Sequence, residues 1–142
     1  MPGKSALSMS PDLESGRLRM PPKSEDQYAN FVQFVMAVID GCEYVHRLAS
    51  APDHHVRTRL MVTLHMHIQT ATEIILVHSD TLSAHVLYWQ LYHHVVELKN
   101  LHEVLSLSTI SDPVKQTLLT DTAPTALQIE NKYRLLIGLN QK

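Results

Sequence analysis

The chain holds one cysteine, Cys42, and four glycines in 142 residues. A lone cysteine excludes an intramolecular disulfide and any CxxC zinc or redox motif. Four scattered glycines leave no glycine-rich loop to cradle a phosphate. Aromatic residues make up 6% of the chain, with a single tryptophan, Trp89. No HExxH metalloprotease motif occurs. No run approaches the roughly 18 consecutive apolar residues expected of a membrane span. The N-terminus lacks the apolar core and small-residue site of a signal peptide. The formal charge of −2 gives no basic footprint for nucleic acid. These absences predict an intracellular chain, cytoplasmic or nuclear, with no membrane, nucleic-acid partner or cofactor.

What the chain does have is apolar residues at helical spacing, and ten histidines. At 44% hydrophobic and 18% charged it is globular in composition. Residues 1–23 are the exception. They carry Pro2, Gly3, Pro11, Gly16, Pro21 and Pro22 and no aromatic residue, too little apolar surface to offset the entropy of ordering. They read as a flexible N-terminal arm, with Ser10-Pro11 in the form of a proline-directed phosphorylation site. Residues 24–142 read as the folded domain.

In that domain Tyr28, Phe31, Val35, Val38, Cys42, Val45 and Ala49 recur at steps of three and four, the signature of an amphipathic helix. A Ser24–Gln27 capping box should start it. Ser50, Pro52 and Asp53 form a second helix start, and Leu60, Leu64, Ile68, Ala71 and Ile75 continue it to about His78. Ser79 and Asp80 should cap a third helix running to about Leu105. Asp112-Pro113 opens a fourth, and the repeat of that signal at Asp121 to Pro124 predicts a break. Three long helices and a broken fourth, joined by short connections, imply an all-α, up-down antiparallel bundle.

The third helix carries the functional expectation. Ala84, Leu87, Leu91, Val95, Leu98 and Leu105 share one face, while Trp89, Tyr92 and Val96 lie away from it, with Tyr88 between. A surface helix should be polar on that second side. Tryptophan and tyrosine anchor protein interfaces. Tyr88, Trp89, Tyr92 and Val96 are therefore candidate contacts with a protein partner or, by self-association, a second copy. The expected role is non-catalytic interaction or assembly.

Two alternatives compete. The pairs His93-His94, His65-x-His67 and His54-His55 diverge on a regular helix and cannot chelate. Glu43 and His46 do share a helix face, and an up-down topology would bring them to one pole with His55, His102 and Glu103 as a candidate metal site. A buried Cys42 is a poor nucleophile. The spacing from Arg59 to His65 resembles the Arg-to-His pair of HEPN-class helical RNases, as does Arg47 to His54. That resemblance covers seven or eight residues. It implies RNA cleavage by a dimer, with Arg59 and His65 as the catalytic pair. The polar residue that often follows the family's arginine is replaced by Leu60 and Leu48. Histidines on apolar faces, namely His46, His67 and His78, should make the fold sensitive to acid if they are buried neutral.

Overall fold

The computed structural model describes the backbone of residues 22–138 and the side chains of 27–138. The arm expected at residues 1–23 lies almost wholly outside them. The described chain is an all-α bundle of four helices: α1 (Pro22–Ala49), α2 (His54–Leu82), α3 (Tyr88–Leu105) and α4 (Asp112–Leu136). It divides into two compact units, Met1–Val32 and Gln33–Lys142, the division falling within α1. The packing described below is that of the second unit.

Helix α1 is the core of that unit. Phe34, Val35, Ala37, Val38, Ile39, Cys42, Val45 and Leu48 are all buried. At about 100° per residue they wrap more than half the helix circumference, the pattern of a helix covered on several sides. Gly41 lets α3 come close. A Cβ added there would stand 2.8 Å from Leu98 Cδ1. Burial also sets the properties of Cys42, whose thiol is pushed up to about 12 by desolvation. It is a small core residue.

The helix boundaries correct three expectations. Helix α1 is described from Pro22, so Ser24 lies within the helix, and its side chain lies outside the described residues. The N-cap of α2 is Asp53, whose carboxylate accepts the Val56 N–H at 2.9 Å. Ser50 instead donates back to the His46 carbonyl. Ser79 and Asp80 do not start α3. Helix α2 continues through them to Leu82, and α3 begins at Tyr88. Ser79 serves the end of α2, accepting the Ser83 N–H through its carbonyl. The fourth helix is continuous, with Pro124 inside it. Proline removes one helical hydrogen bond, and the bonds on either side carry the helix past it. Ser111 caps this helix through Val114 N–H, with Asp112 in the first turn.

Helices α2 and α3 form an antiparallel hairpin. Only residues 83–87 join them, and His65 and His102, lying at similar distances from that turn, meet with ring centroids 5.1 Å apart. Leu64, Ile68, Ala71 and Ile74 of α2 and Leu91, Val95, Leu98 and Leu105 of α3 are buried. On α4 the buried set is Leu119, Ala126, Glu130 and Tyr133.

Candidate functional site

The surface of α3 is where the sequence directed attention. Trp89 is 62% exposed, Tyr92 37% and Val96 38%. The Trp89 and Tyr92 rings meet edge-on, their centroids 5.6 Å apart. Tyr88 departs from the expected contact set. It is 3% exposed and packs against Phe34 of α1 at a centroid distance of 5.9 Å. It backs the surface aromatics from below, its ring 4.8 Å from that of Trp89. The expected core positions Ala84 and Leu87 fall in the turn before α3. Ala84 is exposed and Leu87 partly so.

Sequence reasoning missed a second exposed apolar set on α2: Val62, Met66, Leu76 and Val77. They fall within an arc of about 100° on the side of the helix opposite its leucine–isoleucine face, a grouping that could have been read directly from the sequence. Among the described residues α2 alone has the length and composition of a membrane span, and 22% of that window is buried.

The main polar feature is an ionic network between α1 and α4. Glu130 is 7% exposed. His46 Nε2 lies 2.6 Å from its Oε1, and Arg134 Nε donates to its Oε2 at 2.7 Å. Arg134 also reaches Glu43 Oε1 at 3.3 Å, and Arg47 donates to Glu43 Oε2 at 2.5 Å. Asp40 lies one helical turn before Glu43. Burial holds its carboxyl above the usual range, with Glu43 and Glu130 adding to the rise and His67 and Arg134 opposing it. Glu130 and Arg134 were not anticipated, although the spacing from Ala126 to Glu130 to Tyr133 puts the carboxylate on the apolar face of α4.

That network disperses the proposed metal ligands. Glu43 and His46 are committed to Arg47, Arg134 and Glu130. His55 is exposed at the start of α2. His102 Nε2 faces the Met61 carbonyl at 3.3 Å, and its ring meets His65. Among the described residues no three of His, Cys, Asp and Glu converge as metal ligands.

Arg59 and His65 are both exposed on α2. They are six positions apart, so they point roughly 120° apart around the helix. The groove that His65 lines with Lys99, His102 and Glu103 does not include Arg59. The two do not share a surface within one chain. Arg47 is engaged with Glu43 and stacks over Tyr44.

No protein-family model, curated protein or solved structure matches the chain.

Proposed function

We propose that this chain is a non-catalytic assembly module that pairs with a second copy through α3. The exposure of Trp89 carries the reading. A tryptophan at 62% exposure, flanked by half-exposed Tyr92 and Val96 and supported by a buried tyrosine, is a rigid apolar anchor with little entropy left to lose.

The stripe is also self-complementary. Trp89, Tyr92, Val96 and the exposed Lys99 fall within an arc of about 80° on α3. A twofold axis at the height of His94 would set two such helices antiparallel. Tyr92 would then lie across from Val96 of the second copy, and Trp89 across from Lys99, an arrangement that suits a cation–π contact. Continuing the hairpin register from His65 and His102, exposed Leu76 of α2 comes level with Leu91 and Tyr92, which would widen the apolar surface. Full burial of an apolar side chain of this size contributes about 1.5–3 kcal/mol.

Sedimentation equilibrium of the full chain tests this. The expected result is a concentration-dependent dimer. Trp89→Glu should shift it to monomer without loss of helicity, and Lys99→Glu should weaken it. An unchanged mass for a folded Trp89→Glu variant would overturn the reading.

A further inference from the structure

At the opposite end of α3 from Trp89, four helix ends converge. Gln116 of α4 donates to the Ala49 carbonyl at the end of α1, and its Oε1 accepts a hydrogen bond from Arg57 Nη2 of α2. Beside this junction lies a cavity of about 310 Å³. Its floor is apolar: Leu48, Met61, Leu105 and Leu119. Its polar lining includes Arg57, Lys115, His54 and Asp112.

Arg57 and Lys115 are both partly buried, and among the described residues neither has a carboxylate within ion-pair distance. Cations withdrawn from water are normally paired. Arg57 Nε is buried with no hydrogen-bond partner, and an orphaned buried donor is uncommon enough to need a reason. The hydrogen bond to Gln116 fixes the guanidinium while leaving its Nη1 donors uncommitted. His54 and Asp112 each open a helix here, so the positive ends of the α2 and α4 dipoles reach the same cavity.

We propose that this cavity binds a small organic monoanion, a carboxylate with a short apolar chain, through Arg57 and Lys115. The charge count sets the class. Two cations against Asp112 leave one net positive charge, apart from His54, which matches one carboxylate and not a phosphate dianion. Planar guanidinium and planar carboxylate match in geometry. The leucine and methionine floor takes the chain, as in ligand sites that pair an apolar wall with few polar groups. The proposal is independent of pairing through α3, since no residue is shared.

The test is calorimetric titration of the full chain with hexanoate, against hexanol, hexylammonium and inorganic phosphate. Hexanoate should bind and the other three should bind at least tenfold more weakly. Lys115→Gln should lower hexanoate affinity about two- to fivefold, the modest effect of a charge that is only partly withdrawn from water. Arg57→Gln should lower it about tenfold, as expected for a charged hydrogen bond. Circular dichroism would verify that both variants fold, and Arg57→Lys should retain part of the affinity. No hexanoate binding at millimolar concentration would overturn the proposal. So would equal binding of hexanol or phosphate, or unchanged affinity in folded Lys115→Gln.

Discussion

His46 Nε2 stands 2.6 Å from Oε1 of Glu130, joining α1 to α4 through a carboxylate that is 7% exposed. Arg134 closes the other side of the same carboxylate at 2.7 Å. A carboxylate held this far from water depends on both partners. Removing one partner of such a pair is far more damaging than the net worth of the pair suggests. Arg134→Met should therefore destabilise the fold by about 3 kcal/mol. Arg47→Met removes a partner of Glu43 in a pair whose arginine side chain is 51% exposed. It should change stability by less than about 1 kcal/mol. Urea unfolding of the two variants gives the comparison, and similar losses would show that Glu130 is well hydrated.

Gly41 faces Leu98 across the α1–α3 contact, and the two possible consequences of adding a side chain oppose each other. Alanine in place of glycine inside a helix is favourable by about 1 kcal/mol. The added Cβ would stand 2.8 Å from Leu98 Cδ1, the movable end of a side chain. Gly41→Ala should therefore be close to neutral. Gly41→Leu cannot be absorbed by one rotamer change and should lower stability by about 1–3 kcal/mol, the range for overpacked cores. Thermal unfolding of both variants checks the difference.

Two partly buried histidines of α3, His94 and His102, give the fold a pH response. Burial lowers His94 below its ordinary 6.5, opposed by its hydrogen bond to Glu97. Burial and the neighbouring His65 lower His102, opposed by its bond to the Met61 carbonyl and by Glu103. Between those lowered values and 6.5 the unfolded chain binds more protons than the folded one. Stability therefore falls as pH drops through 6.5 and levels off below the folded values. Asp40 acts in the opposite sense. Its carboxyl is raised above 3.8, so the folded state binds the extra proton and Asp40 favours folding as pH falls through that lower window. The melting temperature should decline from pH 7.5 to 5.5. The decline should be smaller in a His94→Gln, His102→Gln double variant.

The legible part of this fold was what periodicity encodes. Val35, Val38, Cys42 and Val45 read as a core stripe, and they are buried. Leu64, Ile68 and Ala71 did the same for α2. The less legible part was local competition. Ser79-Asp80 has the chemistry of a helix cap, but Ile74, Leu82 and the continuing hydrogen bonds keep α2 running past it. Pro124 has the chemistry of a break, yet Ala126, Glu130 and Tyr133 hold α4 to the core beyond it. Glu130 was passed over because charge suggests solvent, and its burial depends on His46 and Arg134, which are remote or one turn away in sequence. For the surface of α3, helical spacing put Trp89, Tyr92 and Val96 off the leucine face, and all three are exposed. The side on which Tyr88 would fall depended on where the helix begins.

That last distinction separates stability from assembly on one helix. Tyr88 and Tyr92 are one turn apart and their rings stack with centroids 6.0 Å apart, yet only Tyr88 is buried. Tyr88 fills the space beside Phe34, so Tyr88→Ala opens a cavity in the α1–α3 contact. It should destabilise the fold by about 3–5 kcal/mol, as for other large aromatic truncations. Tyr92→Ser removes a ring that already meets solvent. It should leave monomer stability within about 0.5 kcal/mol, the usual range for a surface change. Under the proposed pairing it should still raise the dimer dissociation constant about tenfold or more, because the ring lies across from Val96 of the second copy. Urea unfolding well below the dissociation constant measures the first quantity, and sedimentation measures the second. If Tyr92→Ser weakened folding as much as Tyr88→Ala, the two tyrosines would share one core role. The α3 surface would then have no aromatic pair to offer a partner.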